Sequence, residues 1–239
     1  MSRSKQKTEN TGSSNPAKKH FIEWKNGSFS YYDKVQEKTI DLGHKITFMV
    51  LDSLSTVKGW DDKSGSKIYS NEVRSIAKDV LNVKSFKGGD LISGLYKDIK
   101  DRIKALGVMY FASIYVATKI DGEVVMGNLH LKGAALQVWS DFNRENKDDI
   151  LNKAVSVHAK EERKKGATKW EVPMFKIIDI TEKSNEEANA LDVVLQDYLT
   201  EYFSGNKTTS TETKTEVTEK NSTEYLQSLV SEKITDLPF

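Results

Sequence analysis

Cysteine is absent from the 239-residue chain, which excludes disulfides and thiolate metal sites and fits a reducing compartment. No apolar run is long enough to span a bilayer, and Met1 to Lys19 is polar where a secretory signal would be apolar. Together these absences lead to the expectation of a soluble, cytoplasmic protein. Histidine is scarce: His20, His44, His130 and His158 are the four present, none with a second ligand at metal-binding spacing. Gly88-Gly89 lacks the Gly-Lys-Ser/Thr ending of a phosphate-binding loop, Ser64-Gly65-Ser66-Lys67 lacks its spacing, and Asp61-Asp62 lacks the alternation of a calcium loop. A nuclease would need clustered carboxylates to hold Mg²⁺, and the sequence places none. The expectation is a protein that is not an enzyme and that takes no cofactor or metal.

Net charge is also small, at +1, but the sum conceals a division. Residues 1–183 carry 32 Lys and Arg against 24 Asp and Glu, a net +8, whereas residues 184–239 carry four against eleven, a net −7. A basic body with an acidic end suggests a polyanionic ligand and a tail that the same surface attracts.

The stretch from Ile46 to Phe86 organises the rest. Ile46, Phe48 and Val50 alternate with Thr47, Met49 and Leu51 as an apolar strand, which runs through Val57-Lys58-Gly59 to Trp60, placed in a loop leaving that strand. Asp61 to Gly65 turns the chain, after which Lys67, Tyr69 and Asn71 face away from Ile68, and Val83-Lys84-Ser85-Phe86-Lys87 repeats the alternation. Cations and flat rings thus recur on strand faces. An unpaired nucleic-acid strand needs that combination, since Lys and Arg neutralise phosphate while a ring stacks on any base.

Residues 1–19 have no ring and almost no aliphatic side chain, so they are expected as a disordered basic arm. Asn26-Gly27 joins Phe21–Trp24 to Ser28–Tyr32 as a hairpin, with Trp24, Phe29, Tyr31 and Tyr32 assigned to core and edge packing. Asp90 caps a predicted helix through Leu91, Leu95, Ile99 and Ile103 that Gly107 stops. Val108–Ile120 and Glu123–Leu131 form a hairpin about Asp121-Gly122, and Ala135, Val138, Trp139 and Phe142 form the core side of another helix. Leu151–Ala159 and Thr168–Ile180 pair around a charged tip. That tip, with Arg163, Lys164, Lys165 and the adjoining Trp170, reads equally as solvated surface or as a phosphate-gripping finger. Ser184 and Glu187 form a capping box for a closing helix bearing Leu191, Val194, Leu195, Tyr198 and Tyr202 on one face.

Beyond it, residues 204–224 are Thr-rich and charged, a linker with a reach of roughly 25 Å. Residues 225–239 then hold an apolar cluster and the end Asp236-Leu237-Pro238-Phe239, which has no core to join and suits capture by a protein partner.

That end resembles the acidic tip, ending Asp-Ile-Pro-Phe, with which bacterial single-stranded-DNA-binding proteins recruit replication and repair proteins; here Leu stands for Ile, and one Asp with Glu232 nearby stands for an acidic run. Residues 20–180 look like phage-encoded single-stranded-DNA-binding proteins, on Phe48-Met49-Val50-Leu51-Asp52, Val57-Lys58-Gly59-Trp60, Tyr69-Ser70-Asn71-Glu72, Lys84-Ser85-Phe86-Lys87-Gly88 and Leu131-Lys132-Gly133-Ala134-Ala135-Leu136. The resemblance implies a mainly β, α+β chain. In it, residues 20–203 form a five-stranded oligonucleotide-binding (OB-fold) barrel with extra hairpins and a packed C-terminal helix, followed by a disordered tail.

The function expected is binding and protection of single-stranded DNA, without marked sequence preference, in phage DNA replication, recombination or repair within the bacterial host cytoplasm. The expected DNA contacts are Lys58, Trp60, Lys63, Lys67, Tyr69, Arg74, Lys84, Phe86, Lys87, Arg163, Lys164, Lys165 and Trp170. The expected partner contacts are Asp236, Leu237, Pro238 and Phe239, and self-association into a homo-oligomer is compatible with this reading. The alternative is a recombination or replication adaptor that works through protein contacts with little DNA binding of its own.

Overall fold

A computed structural model describes residues 20–205. Residues 1–19 and 206–239, with the N-terminal arm, the rest of the linker and the terminal Asp236, Leu237, Pro238 and Phe239, lie outside the described residues; Ser204 and Gly205, expected to open the linker, belong to the last helix. The chain runs β1 (His20–Lys25), β2 (Ser28–Asp33), β3 (Lys38–Gly43), β4 (Thr47–Asp61), β5 (Ser66–Ser70), β6 (Val80–Ser85), β7 (Gly89–Leu95), α1 (Tyr96–Ala105), β8 (Met109–Ile120), β9 (Glu123–Leu131), α2 (Gly133–Glu145), β10 (Ala154–Lys165), β11 (Thr168–Ile178) and α3 (Glu182–Gly205). Mainly β with three helices, it matches the expected class. Among the described residues no helix is long and apolar enough to cross a membrane.

All eleven strands belong to one sheet. Its main path is β3-β2-β1-β9-β8-β4-β5-β6-β7, with β10 and β11 branching from β4. This corrects the five-stranded barrel: the sheet has more strands and no pairing closes it. The cause is at the ends of the path. The β1–β3 meander joins through a parallel pairing of β1 with β9, His20 to Glu23 against Gly127 to His130, and the β5–β7 meander extends the other end.

β4 is the axis of the molecule. One of its edges pairs with β8 from Phe48 to Lys58. The other edge changes partner along its length, meeting β10 at Thr47 and Phe48, then Val73 at Ser55, then β5 from Lys58 to Asp61. Alternation along this strand sends its side chains to two sides, and both sides are covered at β4's start. On one side Phe48 and Val50 join Ile22, Phe29, Ile114, Val116 and Leu129 beneath α2, whose Trp139 is buried as its helical spacing predicts. Farther along that same side, Val57, Ile68, Leu81 and Val83 pack beneath Ile99 and Ile103 of α1. Fully burying one such side chain contributes about 1.5–3 kcal/mol. On the opposite side α3 lays Ala188, Leu195 and Leu199 over Met49, Leu51, Tyr115, Ala117 and Met126. Beyond the end of α3 no element among the described residues covers the opposite side, and that bare half of the sheet is the candidate site.

Several local readings change. Leu91 and Leu95 belong to β7, and the helix begins only at Tyr96; Asp90 caps nothing and instead pairs with Lys84. Trp60 lies within β4, paired with Lys67, and not in a loop. β10 runs straight through the charged tip to Lys165. α3 starts at Glu182, so Ser184 is inside it, and the cap is Thr181, whose Oγ1 accepts from the Ser184 N–H at 3.2 Å. Val194 and Tyr32 are exposed, contrary to their assignment to packed faces.

Candidate nucleic-acid interface

The registers of β4, β5 and β6 assemble a grid on the bare face. Lys58 stands opposite Tyr69, and Tyr69 opposite Lys84. Two residues farther on, Trp60 stands opposite Lys67, and the Phe86 N–H donates to the Lys67 carbonyl at 2.9 Å, which brings Phe86 in beside it. Side chains two apart on a strand share a face, so all six residues face the same way. One row reads Lys58, Tyr69, Lys84 and the next Trp60, Lys67, Phe86. Cation and ring alternate along both rows and between them.

The rings are bare for their size: Trp60 is 53% exposed, Tyr69 42% and Phe86 74%. Their intervening partners Ile68, Leu81, Val83 and Ser85 are buried on the other side, so the strict alternation of these strands holds the rings out in water. Neighbouring strands lie about 4.8 Å apart and same-face residues about 6.7 Å apart, so Tyr69 sits about 8 Å diagonally from both Trp60 and Phe86. Each ring has a Lys for its nearest neighbour in both directions. That spacing lets bases rest on rings while phosphates meet ammonium groups.

Polar chemistry beneath the grid ties together the strand ends and turns that carry it. Asp61 ends β4 and accepts from Ser64 Oγ at 2.5 Å and Ser85 Oγ at 2.7 Å. These hydroxyls and nearby backbone N–H groups hold its carboxyl below the usual carboxylate range. Ser66 Oγ accepts from the Lys87 N–H at 3.1 Å. The turns carrying Lys63 and Lys87 are thereby tied to the same cluster, and both side chains are exposed at the rim of the grid. Lys84 meets Asp90 at 2.9 Å, which raises its pKa, but both groups are exposed and salt screens such a pair.

Lys58 is anchored differently. Its Nζ donates to His130 Nδ1 at 2.6 Å, and it lies 5.6 Å from the centre of the Phe21 ring and 5.7 Å from that of Phe111. The contact fixes where the Lys58 ammonium sits, at the edge of the grid nearest β8. Behind His130, Ser113 Oγ donates to Glu72, Tyr115 Oη donates to the same carboxylate at 2.6 Å, and the Glu72 N–H donates to Tyr202 Oη of α3 at 2.7 Å. Burial, followed by the Glu72 charge, pushes the Tyr115 phenol far up.

Two sets of expected contacts lie elsewhere. Arg74 donates to both oxygens of buried Asp52, at 3.1 and 3.2 Å, and stacks 5.2 Å from the Phe203 ring of α3; its charge is matched within the fold. Arg163, Lys164, Lys165 and Trp170 occupy the outer part of the β10–β11 hairpin, with Arg163 paired to Trp170 and held by Glu161 at 3.1 Å. Trp170 is half-buried, and its Nε1 has no hydrogen-bond partner. The hairpin is fastened on its own side by Trp24 Nε1, which donates to the Glu171 carbonyl at 3.0 Å, and by Lys160, which meets the Glu171 carboxylate at 2.7 Å. None of these contacts joins the hairpin to the grid. Lys164 and Lys165 are exposed and make no ion pair among the described residues.

Sequence reasoning gave no role to His130, the anchor of Lys58. Nothing local marks it, because the pairing that brings it near Lys58 passes through β8. Among the described residues no group of three or more His, Asp or Glu is placed to hold a metal ion. Comparison of the chain with family models, with curated proteins and with solved structures returns no match.

Proposed function

We propose that this protein is a non-enzymatic binder of single-stranded DNA with little sequence preference. One observation carries the proposal: six side chains on β4, β5 and the end of β6 alternate cation and ring over an exposed sheet face. Rings stack on every base and Lys neutralises every phosphate, so such a face holds a strand firmly and reads it poorly. A duplex hides its base faces and has nothing to lay on Trp60, Tyr69 or Phe86.

The platform is built outward from β4, a long strand that changes neighbours along one edge. The grid lies at its C-terminal end. The phage setting, the roles in replication, recombination or repair, and the recruitment of partners through Asp236 to Phe239 belong to the same proposal and rest on the sequence resemblance.

The test is fluorescence anisotropy of the full chain with matched single-stranded DNA, duplex DNA and RNA across a salt series. The expected result is tight binding to the single strand, weak binding to duplex, and log K falling with log salt by about 0.7 per phosphate contacted. Equal affinity for duplex, or an affinity indifferent to salt, refutes it. Absence of binding to all three favours the adaptor.

A further inference from the structure

Past Lys58 the bare face does not stop. Lys58 stands opposite exposed Met109 of β8, and its ammonium reaches two more rings, Phe111 and Phe21. Lys132, exposed just past the end of β9, lies 5.4 Å from the centre of the Phe111 ring. The Phe21 ring packs 5.5 Å from His130, yet it is 49% exposed. In β1 and β2 the pair Ile22 and Tyr31 is turned to the core. Alternation therefore puts Phe21 and Tyr32 together on the bare face, and Tyr32 is 60% exposed. An acid, Glu23, shares this face two residues along from Phe21.

Resting on the reading of the grid as a single-strand platform, we propose that the face carries a second stacking subsite. Phe21 is its platform, Tyr32 lies beside it, and Lys58 and Lys132 are its cations. A single polynucleotide strand crosses from Phe86 over Trp60 and Lys58 to Phe21. Three features support continuity over a separate site. Lys58 belongs to both clusters, so no gap in positive charge separates them. The order is again ring, cation, ring. And two half-exposed rings side by side on a solvent face make apolar surface that a folded chain has no structural reason to leave open.

The geometry sets a site size. The grid spans two strand intervals, about 10 Å, whereas β6 to β1 spans five, about 24 Å. At the stacked rise of 3.4 Å per nucleotide these correspond to about three and about seven nucleotides, and to fewer if the strand is extended.

The experiment titrates the full chain, as wild type, Phe21→Ala, Phe21→Leu and Trp60→Ala, with labelled oligothymidylates of 3 to 16 nucleotides at low salt. Phe21→Leu keeps apolar bulk on β1 without a ring face, so it reports stacking even if Phe21→Ala fails to fold. The expected result is a wild-type affinity that climbs with length to about seven nucleotides. Phe21→Leu should level off at about three and bind the 12-mer about 5- to 150-fold more weakly, the range for loss of one stacked base. If Phe21→Leu binds the 12-mer like wild type while Trp60→Ala is weakened, the strand ends at the grid and the second subsite is refuted alone. If neither substitution changes binding, the platform reading fails, and this inference with it.

Discussion

Replacing Trp60 with Ala separates a stacking ring from a packing one, and the structure supplies both magnitudes. Trp buries up to about 250 Å² when enclosed, and a ring 53% exposed hides roughly half of that. Removing it forfeits about 80 Å² of buried apolar area beyond what Ala retains, an upper bound of about 2 kcal/mol. For a folded body of this size that lowers Tm by about 4–8 °C. Such a loss leaves a domain of ordinary stability almost wholly folded at 25 °C, so it does not by itself change the measured affinity. A lost base stack does, by about 1–3 kcal/mol. The two effects part further in Trp60→Leu, which restores apolar cover on β4 but offers no flat face. Thermal unfolding by circular dichroism and anisotropy with a 12-mer are the assays. The expected pattern is a lowered Tm for Ala, partial recovery for Leu, and equally weakened binding for both. If both variants bind within twofold of wild type, Trp60 does not stack and the grid is not a platform.

Lys67→Ala and Lys84→Ala should each reduce the slope of log K against log salt by about 0.7 while lowering affinity alike for all sequences; unchanged slopes would place the phosphates elsewhere. Arg74→Ala removes a partner of buried Asp52 but leaves the Gln196 and Ser53 N–H donors, so urea unfolding should show a loss of about 2–3 kcal/mol, with DNA affinity unaltered because Arg74 is spent within the fold. Joint replacement of Arg163, Lys164 and Lys165 with Ala tests the hairpin: a reduced salt slope would make it a phosphate finger, whereas unchanged binding, which the lack of any contact with the grid favours, would make it solvated surface.

Turn chemistry was the most legible part of the sequence. Asn26-Gly27 and Asp121-Gly122 adopt positive φ at both positions, 53° and 74° in the first and 51° and 88° in the second, as two-residue hairpins require. Strand alternation was legible too, and it placed Lys67 and Tyr69 on one face before any pairing was known. The helix drawn through Leu91, Leu95, Ile99 and Ile103 failed for a specific reason. A spacing of four is also a multiple of two, so the pattern does not discriminate a strand from a helix, and the first two residues took the strand. The grid was half visible: its residue types could be seen, but their rows depend on registers between strands. His130 and Phe21 were beyond reach, because the parallel pairing of β1 with β9 joins segments about a hundred residues apart and leaves no local mark.

The acidic end of the chain takes on a different meaning once α3 is in place. Of the eleven Asp and Glu after residue 183, five lie in residues 184–205, where there is no Lys or Arg at all; residues 206–239 hold six against four Lys. Most of the negative excess is therefore folded, on a helix packed against the same side of the sheet as the grid, and little of it belongs to the tail. The C-terminal part of α3 abuts the grid directly, since Tyr202 accepts the N–H of Glu72, three residues beyond Tyr69. Exposed Glu201 in the last turn of α3, with the negative end of the helix dipole, would set a boundary that a phosphate chain avoids. A tail with so small an excess competes weakly for the basic face even at low salt. On the proposed function, the helix would confine a bound strand to the open half of the sheet, where Trp60, Tyr69, Phe86 and Phe21 are the exposed rings.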